Sequence, residues 1–349
     1  MEQKLKVEKL GVILEPTQNY FEKKAVLNPT CYQEGNDVHM FYRAIDDNLI
    51  STIGYAKLEG PTKIVERWDR PIISREHGHE SRGIEDPRIT KIENTFYITF
   101  TVHDGKNAVV EYATSKDLKT FEKKTVISPQ ITYDKAAQYF SEAKLKDRYF
   151  MFEAYYEESA GKDVLLWEKD VILFPKKING KFAMLHRILP DIQLVYFDDF
   201  EQLGQELFWA DYLGALDKYV VLENKYWFES RHIGGGAVPI ETKEGWLIIY
   251  HATEELNKQR IYRASVALLD LQNPFNVIGR LDYPLFGPDQ PWEQSGFVDN
   301  VVFPTGTAIF GDDLYIYYGA ADRVIAAAKV SMKDLLTELK KTYLHTIKI

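Results

Sequence analysis

Residues able to do chemistry crowd one short stretch, Gly83-Ile84-Glu85-Asp86-Pro87-Arg88. Two carboxylates, a proline and an arginine follow one glycine, and the apolar run 96–102 comes shortly after. Proline at 87 disfavours the helical region for its predecessor, so an extended Asp86 is expected. A carboxylate held beside a fixed cation at the mouth of a sheet suits a general acid. Asp86 is therefore the first candidate for chemistry. The same residues also fit a capped turn in which Arg88 pairs with a carboxylate.

Elements able to hold such an acid are legible in a recurring pattern. A polar turn is followed by six residues of alternating apolar character that end in an aromatic and a distinctive last residue. The copies are Val38-His39-Met40-Phe41-Tyr42-Arg43, Phe96-Tyr97-Ile98-Thr99-Phe100-Thr101, Phe182-Ala183-Met184-Leu185-His186-Arg187, Trp246-Leu247-Ile248-Ile249-Tyr250-His251 and Leu314-Tyr315-Ile316-Tyr317-Tyr318-Gly319. Tyr149-Phe150-Met151-Phe152-Glu153-Ala154 reads as a sixth. Each has hairpin-strand character, and the spacing of roughly 60 to 85 residues suggests repeated strand-rich units. Turn signals fall between copies at Thr114-Ser115-Lys116-Asp117-Leu118 and Leu269-Asp270-Leu271-Gln272-Asn273-Pro274. The pattern predicts an all-β chain, either a β-propeller or a sandwich. The one helix expected is at 332–341, where Leu335, Leu336 and Leu339 form an apolar stripe. With no Pro/Gly/Ser linker, residues 1–349 read as a single domain.

The sixth position of the copies carries Arg43, Thr101, Arg187, His251 and Gly319. Alternate strand residues share a face, so equivalent units would gather these residues around one axis, near Asp86. Cations around a carboxylate suit an anionic ligand, or a sugar held by many hydrogen bonds. Lys169, ahead of an apolar run, fits a phosphate ligand or a surface pair. His232 leads into Gly234-Gly235-Gly236, where backbone can approach a ligand closely. Asp322 follows the last copy as a ligand-facing carboxylate or a turn residue. The histidines are scattered, no metal-ligand spacing occurs, and no serine elbow or HExxH helix is present.

Lys plus Arg is 43 and Asp plus Glu is 52, a net charge of −9 with no basic run, which argues against a nucleic-acid partner. Cys31 is alone, so no disulfide framework is expected. The charged N-terminus lacks a signal-peptide pattern, and no apolar run reaches about 18 residues. A soluble cytoplasmic protein without a membrane partner is expected.

Together these segments resemble glycoside hydrolase family 130, the β-mannoside phosphorylases and β-1,2-mannosidases. The resemblance runs in order through Asn28-Pro29, Tyr42-Arg43-Ala44, Ile53-Gly54-Tyr55-Ala56, Glu85-Asp86-Pro87-Arg88, Lys169-Asp170, Leu173-Phe174-Pro175, His186-Arg187, Ile233-Gly234-Gly235-Gly236, Gly245-Trp246-Leu247, Tyr250-His251 and Tyr317-Tyr318-Gly319-Ala320-Ala321-Asp322. It implies a five-bladed β-propeller with a central-funnel active site and a short C-terminal helix. It makes Asp86 the catalytic acid, its proton passing to the glycosidic oxygen through a mannose hydroxyl. Asn28, Arg43 and Asp322 match the mannose site, and Arg88, Lys169, Arg187, His232, Tyr250 and His251 the surroundings of phosphate. Family phosphorylases often read Ser-Arg where this chain has Ser51-Thr52, and Lys where it has His232. The segment 128–166 is longer than in the simplest members.

An inverting hydrolase needs a second carboxylate, roughly 6.5–9.5 Å from the acid, to activate water. A phosphorylase needs basic groups that clamp phosphate instead. Glu229 and Glu293 are the candidate bases for hydrolysis, with a rim salt bridge and a loop hydrogen bond as their structural alternatives. The expected activity is an inverting β-mannoside phosphorylase that makes α-mannose 1-phosphate from a β-linked (1,2 or 1,4) manno-oligosaccharide. Phosphate is its co-substrate and no cofactor is implied. An inverting β-1,2-mannosidase and a non-catalytic carbohydrate-binding propeller are the alternatives. A homodimer is the commonest assembly for such soluble enzymes.

Overall fold

The computed structural model describes residues 5–346. It is mostly antiparallel β-sheet with a few helices. The strands fall into five meander units. The first runs Ala25–Glu34, Asp37–Ile45, Ser51–Glu59 and Lys63–Arg67. The second runs Gly83–Ile92, Thr95–His103, Ala108–Ser115 and Glu122–Val126. One parallel bridge, Ser51 to Gly83, joins these two into a single hydrogen-bonded sheet. The third is Lys169–Leu173, Phe182–Arg187, Ile192–Phe197 and Val220–Leu222. The fourth is His232–Gly235, Gly245–Leu256, Gln259–Leu269 and Val277–Arg280, with the short strand Ile240–Thr242 beside it. The fifth is Val302–Phe310, Asp313–Ala320 and Val324–Ser331, completed by Glu8–Leu14 from the other end of the chain.

In the first three units the first strand packs against the first strand of the next. Ala25–Glu34 meets Gly83–Ile92, which meets Lys169–Leu173, which meets His232–Gly235. The fourth unit packs on Val302–Phe310, and that strand returns to Ala25–Glu34. Apolar alternation supplies the layers between units, such as Met40, Tyr42 and Ala44 against Tyr317, Ile325 and Ala327.

All five clear copies of the six-residue pattern are second strands. The copy proposed at 149–154 is not a strand and must be corrected. It lies in the helix Asp147–Ala160, where Tyr149 and Phe152 are buried and Met151 is exposed. Burial at a three-residue step is helical, whereas a strand would have buried Tyr149 and Met151 together. The expectation of one helix also fails. Besides Met332–Thr346, the chain forms Tyr133–Phe140, Asp147–Ala160, Glu206–Leu213 and Pro291–Gln294. The first two occupy the long 128–166 segment, opened by Thr132, whose side chain accepts from the Lys135 amide. The terminal helix buries Leu335 and Leu339 and packs on Val277–Arg280.

Candidate active site

Register shows the units to be equivalent. Arg43 pairs with Leu27, Thr101 with Glu85, Arg187 with Lys169, His251 with Gly234 and Gly319 with Phe303. In the first three units a bulge follows that pair in the first strand. The residue entering the bulge is Asn28, Asp86 or Asp170, with φ of 48, 51 and 57°. Asp86 is thus left-handed, not extended as expected from Pro87. The bulge turns its side chain off the strand's alternation, and Asp and Asn are the types that tolerate this region best. Such strain persists only where the surroundings over-determine it. Asp322, just past the fifth unit's second strand, is also left-handed at 50°.

These bulges assemble one polar cluster. Asn28 Nδ2 donates to Asp86 Oδ1 at 2.8 Å. Arg43 donates to Glu85 Oε1 at 2.7 Å and lies 3.8 Å from Asp86 Oδ1. Lys169 Nζ donates to the other Glu85 oxygen at 3.2 Å. Burial would raise the Glu85 carboxyl, but Arg43 and Lys169 hold it down at about 2. Next around, Arg187 contacts Asp170 at 2.8 Å, with His251 3.9 Å away. Burial likewise opposes the Asp170 charge, and Arg187, His251 and Arg88 lower its pKa nevertheless. Burial pushes the His251 imidazole down to about 3, so it is neutral at pH 7. His232 is also lowered well below its ordinary value, by burial and then Arg187. Asp322 moves the other way, to about 6, because burial, Asp86 and Glu85 outweigh Arg43.

Several buried polar atoms here have no partner among the described residues, including Asn28 Oδ1, Arg187 Nε and His232 Nδ1. Buried polar groups are normally satisfied, so open donors and acceptors at one cluster mark a place for a polar ligand.

The structure therefore brings Asp86, Asn28, Arg43, Lys169, Arg187 and His251 together, with Asp322 electrostatically coupled to Arg43, Asp86 and Glu85. His232 stands edge-on to His251, ring centres 6.0 Å apart. Arg88 is placed differently. It is 1% exposed and donates to the carbonyls of Asp86, Pro87, Gly235 and Gly236, crossing from the second unit to the fourth.

Tyr250, Glu229 and Glu293 belong to a different repeated device. Glu229 Oε2 accepts from the Lys225 and Tyr226 amides, and Oε1 from Tyr250 Oη at 2.8 Å and Arg280 at 2.7 Å. Glu293 accepts from the Asp289 and Gln290 amides, Lys9 and Tyr318. Glu22 repeats this with Tyr42 and Arg67. In the second unit Glu80 takes the Glu76 and His77 amides and Lys123, with Phe100 where the others have tyrosine. Each glutamate braces the loop before a first strand against its own unit.

Sequence reasoning assigned no role to Glu85 or Asp170. The available signal was positional: Lys169-Asp170 stands in the third unit where Glu85-Asp86 stands in the second.

Comparison with known proteins agrees with this architecture. A family model described as beta-1,4-mannooligosaccharide phosphorylase matches residues 6–341. A 1,2-beta-oligomannan phosphorylase of Thermoanaerobacter sp. (strain X514) is 34% identical over 335 residues, covering 93% of this chain and 96% of the relative. A beta-1,2-mannobiose phosphorylase of the same strain is 32% identical over 342 residues, with 93% and 96% covered. In structure, the beta-1,2-mannobiose phosphorylase from Listeria innocua, solved with beta-1,2-mannobiose, superposes with a TM-score of 0.72 at 22% identity, over 97% of this chain and 100% of that one. With its motifs in order and the match running almost end to end, the chain belongs to glycoside hydrolase family 130.

Proposed function

We propose that the protein is an inverting β-mannoside phosphorylase. It converts a β-linked manno-oligosaccharide and inorganic phosphate to α-mannose 1-phosphate and a shortened acceptor. The five units are read as blades of one propeller domain, supported by units that contact in series and return to the start. Asp86 donates its proton towards the glycosidic oxygen, through a hydroxyl of the mannose. Asn28, Arg43 and Asp322 hold that mannose. A phosphate oxygen attacks the anomeric carbon from the opposite face, and the acceptor oxygen leaves with the bonding pair and the proton. The carboxylate left on Asp86 is reprotonated from the phosphate ester or solvent.

One observation carries the choice of phosphate over water. Arg187 keeps a buried, unpartnered Nε beside two neutral imidazoles, His251 and His232, and Lys169 is within electrostatic reach of Arg187. That set clamps an anion. Glu229 and Glu293, the candidate bases, have both oxygens engaged in bracing. Arg88, held by carbonyls, supports the site without binding phosphate itself.

Incubation with β-1,2- and β-1,4-mannobiose, with and without phosphate, tests this. Mannose 1-phosphate should form only with phosphate present. Free mannose released without phosphate would establish hydrolysis, and no turnover of any mannoside would favour a binding protein. Asp86→Asn should lower turnover by at least about a hundredfold and leave the unfolding transition in place.

A further inference from the structure

Large apolar side chains left exposed gather at the end of the units that carries Asp86. Tyr20, Trp227 and Phe297 lie in loops leading into first strands, Leu256 at a turn between second and third strands, and Met151 and Tyr155 on the helix Asp147–Ala160. Three of the aromatics share an arrangement. Arg231 lies over Tyr155 at 5.6 Å, Arg263 over Trp227 at 5.1 Å and Lys24 over Phe297 at 6.0 Å. Each cation covers part of its ring, and the rings stay 46%, 59% and 53% exposed. Phe297 is tied to the site itself, because its amide and that of Val298 donate to the Ala321 carbonyl, next to Asp322. Tyr155 is tied through its helix, strapped to the fourth unit by Arg148 on the Ser230 carbonyl and by Arg231 on Phe152.

These aromatics do not merge into one apolar face. Arg231, Glu255, Arg263 and Glu254 pair among them. A protein partner favours an interface core depleted of charge. An oligosaccharide presents apolar C–H faces separated by hydroxyl edges, so isolated rings flanked by charged hydrogen-bonding groups complement it. The mannose at Asp86 contacts buried residues, which leaves the rest of a longer substrate to run outward past this rim.

We propose that Phe297, Trp227 and Tyr155 are stacking platforms for the part of a manno-oligosaccharide beyond the two sugars flanking the cleaved bond. The inference rests on the phosphorylase reading and names its preferred substrate class, chains longer than a disaccharide. The test compares kcat/KM for mannobiose and mannohexaose of the linkage cleaved, in wild type, Phe297→Ala and Trp227→Ala, at saturating phosphate. Each variant should lower the hexaose-to-biose ratio roughly two- to tenfold, and Phe297→Tyr should restore it. An unchanged ratio overturns the proposal. So does a wild-type dimer that Trp227→Ala converts to monomer, since the rim would then be an interface between copies. If wild type turns over no mannoside, the phosphorylase reading fails separately. Calorimetric binding of mannohexaose to wild type and Trp227→Ala then decides the rim, with equal affinity counting against it.

Discussion

Replacing Asp322 by Asn should stabilise the folded protein at neutral pH while damaging its proposed work on mannose. Burial is the main cause that raises the Asp322 carboxyl from 3.8 to about 6, with Asp86 and Glu85 adding to it. Two units at about 1.36 kcal/mol each amount to roughly 3 kcal/mol. Solvent reaching this half-buried group reduces that to about 1.5 kcal/mol. The sign follows from proton binding. Below about pH 4 both folded and unfolded chains hold the proton, and the cost vanishes. Between about 4 and 6 the folded chain keeps a proton that the unfolded chain has lost, so stability from this group falls as pH rises. Above about 6 the full cost is present. Asparagine has no charge to bury, so its advantage should be small near pH 4.5 and reach its plateau above about pH 6.5. Urea unfolding of both proteins across that range measures the difference directly. An Asp322→Asn protein less stable than wild type at pH 7.5, or an advantage independent of pH, would refute the reasoning.

Glu229→Gln should cost about 3 kcal/mol in urea unfolding, because the largely buried Arg280 side chain, 10% exposed, loses its counter-charge, with kcat changed less than about threefold. A collapse of kcat at unchanged stability would instead make Glu229 a catalytic base. Gly319→Ala places a Cβ on Asn28 Oδ1 and should displace the amide that holds Asp86. A fall of about a hundredfold in kcat/KM is expected, with phosphate-induced thermal stabilisation retained; full activity would count against Asn28 as the partner of Asp86.

The second strands were legible because each packs between layers, and its alternation survives as a run of apolar and aromatic residues. Their sixth positions could be aligned, and that placed Arg43, Arg187 and His251 at one register before any contact was known. The segment 149–154 misled because six aromatic-rich residues fit a buried helix turn as well as a strand. Only the burial of Tyr149 and Phe152 separates the two. The conformation of Asp86 was hidden for a related reason. Pro87 reports on the residue before it, whereas the bulge arises from pairing with Thr99 and Thr101 on the next strand. For Glu229 and Glu293 a salt bridge or loop hydrogen bond could be named from sequence, but not the partners or the repeat, because each glutamate joins residues tens of positions apart, such as Glu22 with Arg67 or Glu293 with Lys9. Arg88 read as the carboxylate partner of a capped turn or as a phosphate ligand. Its carbonyl partners at 235 and 236 lie some 148 residues away.

The pairing of Glu8–Leu14 with Val324–Ser331 bears on how the chain is made. A ribosome delivers the early strand first, yet its partner emerges only after more than three hundred further residues. Until then the segment has an unsatisfied ladder edge, open to other chains. The fifth sheet consequently cannot be completed until residues 324–331 are available, and its closure is a late event with high contact order. Deleting residues 8–14 would leave Val324–Ser331 as a bare edge, and the effect should appear as aggregation during expression before it appears in catalysis.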